Sequence, residues 1–362
     1  MNSKSILFLV NSLGGGGAER VCANLASEYS SMGFRIDFIT LYDRPSYALD
    51  FRFNHLCLHI SEHSNQITKL FQILQSIKKV NDWIKQREVL NGPYALITSH
   101  LQMAQLLTRA CAVSKRAIYV MHGAQWPNDP HRSFAHRLYL HAMYDRRSIS
   151  CVSQGLKSEL VTDYGFRHDA ITVVYNPIPI PKVDVSFESN IDGPYFCIIG
   201  RLNKLKRVDR AIEIMNHPSM KRFKLLVIGD GELRRQLESQ ASKLKLTNQV
   251  IFLGHQADPY SWMSRSVGLL STSDSEAFPC APVEALLLHV PVVLSDCRFG
   301  PNEILRGELA RYLVNPIDDL DAYRDALLEA ASKPYPFDAF DTSLTDPKCI
   351  CEMYLHHAAD CA

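Results

Sequence analysis

Two glutamates, Glu276 and Glu284, stand eight positions apart in the segment Ser273-Asp274-Ser275-Glu276-Ala277-Phe278-Pro279-Cys280-Ala281-Pro282-Val283-Glu284-Ala285. The first falls in a loop after the apolar run 267–270, the second about one turn into a helix expected to open near Pro282. So placed, one carboxylate can accept hydrogen bonds from sugar hydroxyls and the other from ribose hydroxyls, rather than the two sharing a metal. A second chemical segment is the basic loop Gly200-Arg201-Leu202-Asn203-Lys204-Leu205-Lys206-Arg207. Arg201 can grip a phosphate as a planar fork, and Lys206 adds a point charge. Fixed cations here would stabilise a diphosphate more as it departs and gathers charge than in the ground state.

Two glycine turns complete the set. Asn11-Ser12-Leu13-Gly14-Gly15-Gly16-Gly17-Ala18-Glu19-Arg20 joins an apolar run to a helix, and its four glycines let a ligand approach the amides at the positive end of that helix, an anion-binding arrangement. In the second turn, Val227-Ile228-Gly229-Asp230-Gly231-Glu232-Leu233, Asp230 and Gly231 again lie between a strand and a helix. Neither turn completes the dinucleotide fingerprint G-x-G-x-x-G. Its last position falls on Glu19 or Arg20 in the first and on Arg234 in the second.

These loops need strands to project from. Short apolar runs at 6–10, 36–41, 95–98, 117–121, 148–152 and 171–175 alternate with helical patterns at 18–32, 67–84, 134–143 and 155–163. Continuous rather than alternating hydrophobicity indicates parallel strands covered on both faces. Asn176-Pro177-Ile178-Pro179-Ile180-Pro181 then breaks the pattern, because proline can continue neither a helix nor a central strand. Alternation resumes with strands at 195–199, 224–228, 250–253, 267–270 and 292–295 and helices at 208–216, 232–244 and 282–289. The expected architecture is α/β: a first doubly wound, Rossmann-like domain over 1–180 and a second over 190–340, with a C-terminal helix at about 345–362 packing back on the first. Ligands in such sheets bind beyond the carboxyl ends of the strands, where the segments above fall.

Composition narrows the partners. The 362 residues exceed one ordinary core, and 46% apolar with 21% charged residues is an average globular balance. A formal net charge of +1 gives no field for a nucleic acid partner. The ten cysteines form no C-x-x-C pair and are expected to be reduced thiols, with metal disfavoured. His55, His59 and His63 repeat at helical spacing, but their neighbours read as strand or loop, so they do not share a face. The run 5–10 is too short for a signal-peptide core and no later run suits a membrane span, so a cytoplasmic protein is expected. The helix from Ile67 carries Lys69, Lys78, Lys79, Lys85 and Arg87 beside an apolar stripe with Trp83, a composition that suits either a core-facing helix or an anionic lipid surface.

Taken in order, GGGGAERV, GRLNKLKRVDRAIE, IGDGELR, SEAFPCAPVEAL and PVVLSDCRFGPNEIL resemble the motifs of the retaining glycosyltransferases of family 4. The resemblance covers most of the chain and implies a GT-B fold, two Rossmann-like domains facing a central cleft. It implies donor-diphosphate contacts from Arg201 and Lys206, ribose contacts from Glu284, contacts to the transferred sugar from Glu276, and a phosphate contact from Gly16 and Gly17. Asp230, Gly231, Leu253 and Gly254 would border the nucleobase, while Ala277, Phe278 and Pro279 line the donor beside Glu276. His122 matches the family's cleft histidine, so Glu276, His122, Arg201 and Lys206 form the implied catalytic set. The implied reaction moves a hexose or N-acetylhexosamine from a nucleoside-diphosphate sugar, UDP-sugar favoured, to a glycan or lipid-linked acceptor. It proceeds with retention, needs neither metal nor cofactor, and belongs to cell-surface polysaccharide synthesis, with peripheral contact at the inner membrane. Ala277 and Ala281-Pro282 depart from the commoner family residues and leave the donor open. A GT-B sugar-nucleotide epimerase or hydrolase is the alternative, ahead of a nucleotide-binding oxidoreductase.

Overall fold

The computed structural model describes residues 4–14, 16–44, 49, 51–123 and 134–360. The chain divides into two compact units, Met1–Ile178 with Ser343–Ala362, and Pro179–Thr342. The proline-rich segment carries the first boundary because its prolines supply no backbone N–H to either sheet.

The first unit holds strands β1 (Ser5–Val10), β2 (Arg35–Thr40), β3 (Phe53–Cys57), β4 (Leu96–His100), β5 (Ile118–Met121), β6 (Ser148–Cys151) and β7 (Ile171–Val173). They form one sheet in the order β3-β2-β1-β4-β5-β6-β7, every pair parallel. Its helices are α1 (Gly17–Ser31), α2 (Gln66–Asn91), α3 (Gln102–Ala110), α4 (Phe134–Tyr144) and α5 (Gln154–Thr162). All of β1 is buried, as its unbroken apolar run requires, and Phe8 stacks on Phe38 of β2 at 5.2 Å between ring centres. Helix α2 starts where the Asn65 side chain accepts from the Thr68 amide and stops at Gly92, whose φ of 81° suits glycine. It runs past the periodic stretch 67–84 and about one turn beyond Arg87, whose side chain reaches back to the sheet. There the Asp37 carboxylate, fully buried, takes the Arg87 guanidinium on both oxygens (2.9 and 3.1 Å), the Tyr94 hydroxyl (2.5 Å) and the Asn54 amide (2.8 Å). A buried charge so fully paired is tolerated; removing one partner would strand the other.

The second unit holds β8 (Tyr195–Ile199), β9 (Lys224–Ile228), β10 (Val250–Gly254), β11 (Gly268–Ser271), β12 (Ser275–Glu276), β13 (Val292–Ser295), β14 (Arg298–Phe299) and β15 (Leu313–Val314). Six of these form the parallel sheet β10-β9-β8-β11-β13-β15, and β12 pairs with β14 as a separate short ribbon. Helices α6 (Val208–Met215), α7 (Arg234–Lys243), α8 (Pro259–Ser264), α9 (Cys280–Leu287), α10 (Pro301–Ile304) and α11 (Leu320–Ser332) belong to this unit. The last helix, α12 (Pro347–Asp360), returns to the first unit, where the buried Tyr29 hydroxyl of α1 donates to the Cys351 carbonyl at 2.9 Å. No helix among the described residues is long and apolar enough to cross a membrane.

Each sheet has one place where the strand order reverses: between β1 and β4 in the first, between β8 and β11 in the second. The loops leaving two adjacent strands in opposite directions open a crevice there, and it is the default ligand site of such sheets.

Candidate active site

At the second unit's reversal point, β8 delivers the basic loop and β11 delivers the Glu276 segment. Lys206 Nζ lies 2.5 Å from Glu276 Oε1, and the Ser273 hydroxyl donates to the same oxygen at 2.6 Å. Both partners therefore occupy one carboxylate oxygen, and among the described residues no hydrogen bond is recorded to Oε2. Of the loop's cations, Arg207 is engaged by Asp209 and Asp274, which raises its pKa with the Asp209 bond as the first cause. Arg201 is exposed and pairs with no carboxylate among the described residues. The apparently uniform basic loop thus resolves into a structural arginine, a lysine shared with Glu276, an available guanidinium, and the exposed Lys204, which pairs with no carboxylate among the described residues.

The glycine turn after β9 is explained largely by one close approach. Gly200 N donates to the Ile228 carbonyl, Leu202 N to the Asp230 carbonyl, and Leu233 N to the Leu202 carbonyl, at 3.0, 3.0 and 3.1 Å. The loops after β8 and β9 are thereby laced together. A Cβ on Gly229 would sit 2.0 Å from the Gly200 carbonyl oxygen, and one on Gly231 2.4 Å from that of Leu202. Gly231→Ala is therefore expected to destabilise the protein by about 1–3 kcal/mol, since neither neighbour is a side chain that can swing away. Urea denaturation measures this, and a loss under about 0.5 kcal/mol, the level of an unconstrained surface change, would count against it.

Asp230 is exposed, and the Gly231 amide, then the Arg234 guanidinium, hold its carboxyl below the ordinary range. Arg234 also reaches the turn at Gly254: a Cβ there would meet its Nη1 at 3.0 Å. The Leu253 carbonyl accepts from the Gln256 side chain at 2.9 Å. Asp230, Gly231, Leu253 and Gly254 therefore share one rim, at the ends of β9 and β10.

Glu284 is buried, and its Oε1 accepts the Tyr260 hydroxyl of α8 at 2.8 Å. Helix α9 opens at Cys280, two residues earlier than the sequence suggested, with Pro282 inside the first turn, where its missing N–H costs no intrahelical bond. Glu284 consequently sits in the second turn. The bend at Ala277, Phe278 and Pro279 is fixed from below by Gly300, whose amide donates to the carbonyls of Glu276 (3.2 Å) and Ala277 (3.1 Å). A Cβ on Gly300 would fall 2.6 Å from the Ala277 oxygen. Pairing of β12 with β14 and this contact together set the height of Glu276.

In the first unit, Gly16 caps α1 in an extended conformation and Gly17 is the helix's first residue. A Cβ on Gly16 would lie 2.5 Å from Glu19 Oε2, the far end of a side chain that can shift, so packing there does not by itself require glycine. A Cβ on Gly17 would meet nothing within 4 Å, so packing leaves that glycine unexplained. His122 follows β5, and its Nε2 lies 2.8 Å from Nδ1 of His100, the last residue of β4. The rings stack at 5.1 Å. Burial depresses the pKa of His122 to about 4 and, with the neighbouring His122, takes that of His100 well below its ordinary value. Both imidazoles are neutral at pH 7.

His100, Ser273, Tyr260 and Gly300 escaped the sequence reading. A histidine closing a strand beside the reversal point is a usable signal for His100; Ser273 reaches Glu276 from three residues away, while Tyr260 and Gly300 act through contacts distant in sequence. Among the described residues no group of three or more His, Cys, Asp or Glu side chains could hold a metal ion.

Comparison with known proteins identifies the family and the fold. The family model for glycosyltransferase family 4 matches residues 15–181, and that for glycosyl transferases group 1 matches residues 181–339. An uncharacterized glycosyltransferase of Methanocaldococcus jannaschii is 38% identical over 120 residues, 33% of this chain and 30% of that protein. The lipopolysaccharide 1,6-galactosyltransferase of Salmonella typhimurium is 27% identical over 212 residues, 56% of this chain and 58% of that one. The chain thus spans less than two thirds of the length of these two relatives. A Campylobacter jejuni N-acetylgalactosamine-N,N'-diacetylbacillosaminyl-diphospho-undecaprenol 4-alpha-N-acetylgalactosaminyltransferase is 23% identical over 310 residues, 82% of each chain. Among solved structures, Anabaena HepE in complex with UDP and glucose superposes with a TM-score of 0.72 at 18% identity, covering 99% of this chain and 98% of that one. The lipopolysaccharide outer core galactosyltransferase WaaB gives 0.66 at 22% identity, with 99% and 98% covered. With both family models matched in tandem and the same fold along the whole chain, the protein belongs to family 4 of the glycosyltransferases and adopts their GT-B fold.

Proposed function

We propose that the chain transfers a hexose or N-acetylhexosamine from a nucleoside-diphosphate sugar, with retention, to a glycan or lipid-linked acceptor in lipopolysaccharide or polysaccharide synthesis. The observation that carries this reading is the cluster at the reversal point of the second sheet: the available Arg201 guanidinium, and Lys206 held against Glu276 and Ser273. Cations after β8 meet the diphosphate, Glu276 meets the sugar, and Glu284, steadied by Tyr260, meets the ribose. As the sugar–phosphate bond breaks, negative charge collects on the diphosphate, which Arg201 and Lys206 stabilise in place; the departing phosphate oxygen takes the acceptor's proton. UDP is the first nucleotide to test, because a structural neighbour was solved with it.

A thermal-shift panel of nucleotide sugars identifies the donor: one present at 100 times its Kd raises stability by about 2.7 kcal/mol. The anomeric configuration of the product, read by NMR, then tests retention, and transfer that persists in EDTA tests independence from metal. Donor consumed without acceptor, giving free or epimerised sugar, would replace transfer with hydrolysis or epimerisation.

Peripheral contact with an anionic cytoplasmic membrane face is part of the proposal, and α2 supports it. Ile67 (80% exposed), Leu70, Phe71 (59%) and Leu74 (54%) follow the i, i+3, i+4, i+7 spacing of one helix face. Lys78 and Lys85 continue that line, while Ile73, Val80 and Ile84 face the core. Because α2 runs back from the carboxyl ends of the strands, its apolar half lies at the sheet edge that carries Gly17, His100 and His122. A bilayer met there would present a lipid-linked acceptor beside those loops. Co-sedimentation with phosphatidylglycerol vesicles should fall at least about tenfold when Ile67, Leu70, Phe71 and Leu74 are all replaced by serine, given about 25 cal/mol per Å² of apolar burial. Equal sedimentation of both proteins would remove the membrane from the proposal.

A further inference from the structure

Lys206 owes its position to an arrangement that no motif encodes. The residue after it, Arg207, has φ 47° and ψ 44°, a left-handed conformation that is costly for any residue with a Cβ. This turn carries the chain from the short 3-10 helix Lys204–Lys206 into α6. The Arg207 side chain is held at both ends. Its Nε and Nη2 donate to Asp209 at 3.1 and 3.0 Å, and Nη1 reaches both oxygens of Asp274 at 3.2 and 3.3 Å.

Asp274 also accepts Nη1 of the buried Arg210 at 2.5 Å. Arg210 in turn binds the Thr272 carbonyl at 3.1 Å and pairs with Asp318. Two further bonds join the same segments: Asp274 N donates to the Leu205 carbonyl at 2.8 Å, and the Thr272 hydroxyl to the Arg207 carbonyl at 2.8 Å. Asp209 lies two residues from Arg207 and cannot tie its loop to another. Asp274 can, because it follows β11 on the segment that carries Ser273 and leads to Glu276.

We propose that Asp274 is a positioning residue: by clamping Arg207 in its left-handed turn, it fixes Lys206 against Glu276 and so sets the cation that meets the donor diphosphate. The last clause rests on the donor-site reading; the clamp itself does not. Without the Asp274 carboxylate, the guanidinium groups of Arg207 and Arg210 lose their shared counter-ion, and Arg207 relaxes toward an ordinary φ. Lys206 then leaves Glu276.

The test uses Asp274→Asn, which keeps the side-chain size, with and without Arg207→Gly, since glycine holds a left-handed turn unaided. Modification of Lys206 by acetic anhydride, followed by peptide mass spectrometry, reads the clamp independently of any nucleotide. Asp274→Asn should raise the Lys206 modification rate at least threefold, and adding Arg207→Gly should return it to within twofold of the parent. A merely structural loss would not be rescued by removing a second ion-pair partner. An unchanged rate in Asp274→Asn, or a double variant no better than the single, overturns the clamp. If Asp274→Asn does not fold, recovery of a folded protein with parental Lys206 reactivity in the double variant still supports it, and an unfolded double variant overturns it. Calorimetry with UDP on the same proteins separates the two claims. Altered Lys206 reactivity with unchanged UDP affinity keeps the clamp and rejects the diphosphate role of Lys206, whereas a tenfold weakening that Arg207→Gly repairs supports both.

Discussion

Glu276→Ala is expected to lower kcat roughly 100-fold while leaving affinity for the nucleoside diphosphate nearly intact. The loss is the size of one or two hydrogen bonds to a charged group, about 1.5–3 kcal/mol each, acting on a sugar that gains positive charge in the transition state. The second part follows from where Lys206 is held. Its Nζ lies 2.5 Å from Glu276 Oε1, but the Arg207 turn places the lysine, so alanine at 276 removes one partner of Lys206 without moving it. Ser273 keeps a hydroxyl but loses its acceptor, a minor local cost. Steady-state kinetics with the full donor and calorimetry with UDP separate the two effects. Unchanged kcat, or abolished UDP binding in a folded variant, would show that Glu276 does not serve the sugar.

Which features were legible in the sequence follows from the range of the forces that set them. Buried parallel strands such as β1, β8 and β9 announce themselves as unbroken apolar runs, because both faces meet helices. The donor segments were legible for a related reason: strand, glycine and charge follow one another within a few residues. Strand β3 was left between strand and loop, since Phe53–Cys57 is an edge with exposed Asn54 and His55 and lacks the two-sided burial that makes the signal. The start of α9 was misplaced because proline favours a helix's first position, yet any place in the first turn spares an intrahelical bond.

Least legible were the long-range contacts. Gly300 needs its glycine because the Ala277 carbonyl passes 2.6 Å from where a Cβ would be, and nothing near Gly300 in sequence says so. The same holds for His100 against His122, and for Arg207, whose charge suggested an anion site while its geometry makes it a structural ion pair. Gly229 and Gly231 read from the sequence as a turn between strand and helix, and their sterics trace to the backbone of the neighbouring loop, which the sequence does not show.

Glu284→Ala is expected to weaken UDP roughly 10- to 100-fold and to leave inorganic pyrophosphate affinity within about twofold, which distinguishes it from every change in the basic loop. The carboxylate is buried on α9, with its Oε1 taken by the Tyr260 hydroxyl at 2.8 Å. That contact orients the group, and a ribose hydroxyl donating to it contributes about 1.5–3 kcal/mol, the ordinary worth of one hydrogen bond to a charge. Pyrophosphate has no ribose, so its affinity reports only the cations. Tyr260→Phe should produce a smaller weakening of UDP, because the carboxylate remains but loses its fixed orientation. Since ribose belongs to donor and product alike, the Glu284 change should appear mainly in KM, with kcat within a few-fold of the parent. Parallel calorimetric titrations of UDP and pyrophosphate decide the matter: equal losses for both ligands would place Glu284 in the support of the diphosphate site, and no loss for either would remove it from the donor site.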